Sequence, residues 1–216
     1  FLRVHQPEKF GDQMDSVRHT VVAVNKYKKA VTGFETGKVY SGIRGVVPVF
    51  AADENTGNKI FVGALEAGTS FNMTINELTR LHNVELAVLL SLDHLKANVW
   101  PDFIDKSSKN NPPISDYFIE ATTDTYISEL LRKNIIDSSN LKIQKLTQAA
   151  FNNNSYSILS FPLRDFIGSV EPDRPSVGVI VAWRNVQSEI DKFWATQRVN
   201  IIYGIIGFIL IESLFF

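Results

Sequence analysis

Between Gly42 and Gly68 the hydrophobic pattern reads as strand, loop, strand: "GIRGVVPVF", the polar "ADENTGN", then "IFVGALEAG". The first run is built around Pro48 and the second passes through Val62-Gly63. The same order returns between Ser157 and Trp183, with a run around Pro162, a polar loop, and a second run opened by Val177-Gly178. The two prolines lie 114 residues apart, about the size of a small domain. This echo predicts two related α+β lobes in tandem, each closing with a long hairpin.

The rest of the pattern fills in the lobes. Leu2 and Val4 alternate with Arg3 and His5 in the period of a half-buried strand, and "PEKFGD" reads as a turn. Asp15-Ser16 is suited to cap a helix from Val17 to Lys29, with Val17, Val21, Val24 and Lys28 on one face. Val39–Tyr40, Ile43–Phe50 and Ile60–Ala67 are strand candidates. Thr74 with Glu77 has the spacing of a capping box. Glu85–Leu92 and Asp116–Thr122 read as strands, "KSSKNNPPISD" as a loop, and Ile127–Ile136 and Leu141–Phe151 as helices. Ser157–Phe166 and Val177–Trp183 form the second hairpin, and Val186–Phe216 reads as one continuous helix. The expected division is a first lobe over 1–73, a second over 74–185, and a terminal helix over 186–216.

That last helix changes the picture most. From Ile201 to Ile211 there is no charge, and the run then meets Glu212. A membrane span needs about 20 apolar residues, so the run is expected to be the first part of a transmembrane helix; the alternative is an apolar helix docking on a partner. The opening on Phe1, without Met or signal segment, fits a fragment of a longer chain. A net charge of -1 argues against a nucleic-acid partner. The absence of cysteine excludes disulfides, thiolate metal sites and cysteine nucleophiles.

The candidate chemistry is ionic. Arg3 and His5 share one face of the first strand and, with Arg44 on a neighbouring strand, form a candidate clamp for a carboxylate, for which the guanidinium fork is suited. Glu35 and Glu66 flank the region, either as ion-pair partners of the arginines or as groups for an ammonium. No metal-ligand spacing is present, and neither a metal nor a cofactor is expected. A second candidate pocket combines Tyr117, Glu120, Arg164 and Asp165, with Asp124 nearby; the plainer reading is that these residues hold a loop together. His19, His82 and His94 read as surface or capping residues, "KYKK" as a solvated helix face, and Trp183 as core. No nucleophile elbow, zinc-protease, phosphate-loop or dinucleotide motif occurs. Three readings stand: a ligand sensor, a membrane-anchored periplasmic enzyme using carboxylates, and a ligandless spacer or interaction domain. The stiff helix from Val186, with no Gly/Ser linker, favours the sensor.

The phrases "FLRVHQPEKFGD", "GIRGVVPVF" with "VGALEAG", and "FPLRDFIG" with "VGVIVAW" resemble the double Cache sensor domains of bacterial chemoreceptors, sensor histidine kinases and diguanylate cyclases. The resemblance implies two stacked PAS-like lobes, the first distal and the second close to the membrane. It also implies a small molecule, here expected to be a small organic anion, bound in the distal lobe by Arg3, His5, Glu35, Arg44 and Glu66. It further implies a periplasmic location on a bacterial inner membrane, a homodimer in the full receptor, and no catalysis in this part of the chain.

Overall fold

A computed structural model describes residues 1–4, 6–38, 41–137 and 143–215, with only the backbone at residues 3, 6 and 9. The fold is α+β, with two larger antiparallel sheets and a long C-terminal helix.

The first sheet is a meander of β3 (Val31–Thr36), β4 (Ser41–Ala52) and β5 (Lys59–Thr69), with β4 in the centre. Its hairpin is closed by an Asp53 carboxylate that accepts from the Asn55 and Thr56 amides, which is how an aspartate fixes a tight loop. The helix α1 (His19–Tyr27) covers one face through Thr20 and Val24. Among the described residues no strand pairs with the outer edge of β5. A short hairpin of β1 (Leu2–Arg3) and β2 (Gln6–Phe10) precedes it. "PEKFGD" is therefore mostly strand and not a turn: Phe10 pairs back on Leu2, and the Gly11 amide reaches the Phe1 carbonyl at 3.0 Å.

The second sheet has five strands: β6 (Glu85–Ser91), β7 (Tyr117–Thr122), β8 (Lys145–Phe151), β9 (Asn154–Leu163) and β10 (Gly178–Asn185), in the order β7-β6-β10-β9-β8. One face packs on α5 (Ile127–Arg132) through Leu89, Ile119, Leu130, Val179, Val181 and Trp183. The other packs on α2 (Phe71–His82) and α3 (Leu92–Asn98) through Ile75, Leu86, Val88, Leu90 and Leu95. Phe34 of β3 joins this second core, its ring 5.0 Å from that of Phe71, so the two sheets share buried surface.

The hairpin echo is kept in the backbone register. Pro48 faces Ala64 and Val49 faces Gly63; Pro162 faces Val179 and Leu163 faces Gly178. In the first sheet the outer strand begins at Val31, opposite Val46; in the second it begins at Lys145, opposite Ser160. Each proline thus stands two residues past the last rung on its outer side.

Several elements differ from the expected ones. The first helix starts at His19, and Asp15-Ser16 lie in the preceding turn, because the Val17 and Arg18 amides already close on the Met14 carbonyl. The second starts at Phe71, which buries its ring, so Thr74 and Glu77 fall inside it and form no capping box; Glu77 instead meets Arg80 at 2.7 Å. Residues 106–110 of the expected loop are the last part of α4 (Pro101–Asn110), with Pro101 supplying a helical φ in its first turn. Lys145–Phe151 is strand and not helix, since every residue of it pairs with β9; residues 141 and 142 lie outside the described residues. The strand β3 is an addition to the expected set, and Val39–Tyr40 also lie outside the described residues. The boundary expected after residue 73 falls within α2. The terminal helix is α7 (Gln187–Phe215), long and apolar enough to cross a membrane.

Candidate functional site

The register of the first sheet brings its charged residues together. Arg44 of β4 stands opposite Gly33 of β3 and Gly68 of β5, Glu35 stands opposite Gly42, and Glu66 opposite Val46. Alternation along each strand puts Glu35, Arg44 and Glu66 on the same face. Glycine opposite Arg44 leaves room for its guanidinium: a Cβ at Gly68 would come within 3.2 Å of Nη1.

Arg44 lies between the two carboxylates. Its Nη1 donates to Glu66 Oε1 at 2.8 Å, and its Nε lies 3.5 Å from Glu35 Oε2. Arg18, just ahead of α1, places Nε 3.5 Å from the same Glu66 oxygen. Glu66 Oε2 is buried and makes no hydrogen bond among the described residues. Glu35 also receives the Thr20 amide at 2.7 Å and the Thr20 hydroxyl at 3.1 Å. The start of α1 has no cap from its own chain segment; a carboxylate from β3 satisfies one of its orphan amides and meets the positive end of its dipole. Burial nonetheless pushes the Glu35 carboxyl above its usual range, against the Thr20 bonds and the attraction of Arg18 and Arg44.

Of the expected first-lobe set, Glu35, Arg44 and Glu66 therefore meet in one buried cluster. Arg3 lies in β1, and its side chain, like His5, lies outside the described residues. Arg18 and Thr20 complete the cluster; nothing in their local sequence marks them, because their partners are strands 15 to 48 residues away.

The second expected set is not brought together as a pocket. Tyr117 is buried against α5. Glu120 is the extra residue where the β6–β7 register shifts between Val88 and Leu89, and such a bulge re-aims a side chain. It accepts from the amide and hydroxyl of Ser41, while burial pushes its carboxyl up. Arg164 Nη1 donates to the carbonyls of Gly168, Pro172 and Arg174 at 3.2, 2.7 and 3.1 Å, and Asp165 caps α6 (Phe166–Val170) by accepting the Gly168 amide at 2.7 Å. Among the described residues no cluster of potential metal ligands occurs.

The sheets meet around β3 and Lys38 just beyond it. Thr36 Oγ1 lies 2.8 Å from His94 Nε2 of α3, the Trp100 amide donates to the Lys38 carbonyl at 3.0 Å, and a Cβ at Gly33 would stand 2.9 Å from the Phe166 side chain. His94, read from sequence as surface or capping, is a half-buried junction residue.

Residues 1–171 match the family model of the double sensory domain of two-component sensor kinases. The chain belongs to this double Cache family. As a double sensory domain it is a sensing part and not a catalytic one. Among solved structures it matches an extracellular ligand binding receptor from Desulfohalobium retbaense DSM5692 at 14% identity and a TM-score of 0.32, over 81% of this chain and 25% of that one. This double sensory domain thus spans about a quarter of that receptor's length. No curated protein matches it.

Proposed function

We propose that this chain is the extracytoplasmic ligand-sensing part of a bacterial transmembrane receptor. It binds a small organic anion in its first lobe and reports through α7. The working units are 1–73, 74–185 and the helix from 186, with the helix anchored in the inner membrane and the lobes in the periplasm. Catalysis, where the receptor has any, belongs to an output domain outside this chain.

The observation that carries the ligand class is the buried Arg18–Glu66–Arg44–Glu35 cluster. Glu66 is held by one short bond from Arg44 at 2.8 Å, its contact with Arg18 is 3.5 Å, and its second oxygen makes no hydrogen bond among the described residues. An incoming carboxylate displaces Glu66 and takes the arginines in its place, joined by Arg3 and His5. The reach of α7 supports the anchor. A groove of 730 Å³ between α7 and the second sheet, lined by Leu146, Leu159, Ile190, Phe193 and Trp194, supports a homodimer in which the partner's helix lies along it.

A thermal-shift screen of metabolites against the chain in detergent micelles tests the ligand class. One-site binding stabilises by RT ln(1 + [L]/Kd), about 2.7 kcal/mol at a hundredfold excess. Organic anions are expected to raise Tm, and Arg44→Gln to abolish the rise. Stabilisation confined to cationic or neutral compounds would overturn the reading.

A further inference from the structure

We propose that the junction between the two sheets is a proton sensor, in which His94 latches the end of β3 to α3 at neutral pH and releases it on protonation. This is a second input, separate from the ligand reading, and it stands whether or not the first lobe binds an anion.

The geometry assigns the ring's protons. The Asn98 amide nitrogen donates to the His94 carbonyl at 2.8 Å, which fixes its orientation, and the same nitrogen faces His94 Nδ1 at 3.4 Å. An N–H group facing Nδ1 requires that nitrogen to carry a lone pair. Nε2 then holds the proton and donates it to Thr36 Oγ1 at 2.8 Å. Acid adds a proton at Nδ1, directly against the Asn98 donor. The new N–H there faces a donor and not an acceptor, and turning the ring to relieve that contact withdraws Nε2 from Thr36.

The surrounding charges set the threshold. From the β9–β10 connection, Asp165 favours the imidazolium and Arg174 opposes it; burial opposes it more than either, and the ring titrates below its ordinary value. Asp93 and Lys96 flank His94 on its own helix, one of each sign. Releasing Thr36 loosens the end of β3 and Lys38 just beyond it, whose carbonyl holds the Trp100 amide. Glu35, next to Thr36, and Arg44, three residues past Ser41, belong to the buried cluster, so the latch and the cluster share both strands.

The test uses the whole chain in micelles, with labelled histidine followed by NMR and amide exchange corrected for its intrinsic pH dependence. His94 is expected to titrate below about 6.5. As pH falls from there towards the ring's own transition, exchange at the Trp100 amide is expected to rise up to about tenfold per pH unit, while Val181 in the central strand stays protected. Asn98→Asp supplies an acceptor for Nδ1–H, so the ring is expected to titrate at higher pH and the junction to stay closed when it is charged. His94→Gln keeps a donor for Thr36 and is expected to remove the pH response at Trp100. Unchanged Trp100 exchange as His94 protonates would overturn the proposal, as would equal acceleration at Val181 or a wild-type response surviving in His94→Gln.

Discussion

Arg44 is the residue on which the first lobe's charge balance depends. It is almost wholly buried between two carboxylates, so its removal leaves like charges without their shared partner. Arg44→Ala is expected to cost about 3–5 kcal/mol in chemical denaturation at neutral pH. The sign of the pH dependence follows from the carboxylates. Burial already holds the Glu35 carboxyl above its usual range; without the cation it rises further, so Glu35 binds more protons in the folded state than in the unfolded one. The penalty is therefore smallest in acid and grows as pH rises through the carboxylate range. Adding Glu35→Gln, Glu66→Gln and Arg18→Met to Arg44→Met is expected to recover most of the loss, since a buried ion cluster replaced as a whole by groups of similar volume is often neutral.

At the scale of elements, what was legible in the sequence is what the chain encodes locally. The strands β4, β5, β9 and β10 are apolar runs bounded by Gly and polar loops, and α7 is a long run without a breaker before Gly204. The strand β8 was not legible: "KLTQAAF" contains good helix formers, and only its pairing with β9 makes it extended. The helix α4 hid behind polar composition, for it buries no residue. In the candidate site, Arg44 and Glu66 were readable on strands and Glu35 only as a flanking residue, since β3 was not legible, whereas Arg18 and Thr20 became partners only when α1 docked on the sheet.

Two element-scale outcomes follow from the register and the terminal helix. Gly178 lies where β6 approaches so closely that a Cβ would run into the Leu89 carbonyl, so Gly178→Ala is expected to lose about 1–3 kcal/mol by chemical denaturation. Gly63, its counterpart in the first sheet, meets nothing within 4 Å, and its φ of +156° alone disfavours a side chain. The start of α7 is tied to the second sheet by the Val186 amide on the Ser155 carbonyl at 2.8 Å and by Ser155 Oγ donating to Gln187 at 2.9 Å. Inserting two glycines between Ser188 and Glu189 costs roughly 1 kcal/mol each in helix stability and adds backbone freedom. Ligand affinity by calorimetry is expected to hold, while kinase or cyclase output of the full receptor falls sharply; intact output would make α7 an anchor only.

At the scale of the molecule, equal registers in the two sheets carry an asymmetry. The inner side of β10 is covered by β6, but the corresponding side of β5 has no strand among the described residues. Eleven residues of β5 thus present a row of backbone donors and acceptors, with Ile60, Val62 and Leu65 exposed along it and no proline to interrupt it. Such an edge is a template for another copy of itself. The consequence is colloidal: preparations of this chain are expected to self-associate through β5 as concentration rises, by a route separate from α7. Leu65→Lys, which sets a charge at the edge and leaves α7 intact, is expected to lower the weight-average mass in sedimentation at high protein concentration without lowering Tm. Association unchanged by that lysine would place the contact elsewhere on the surface.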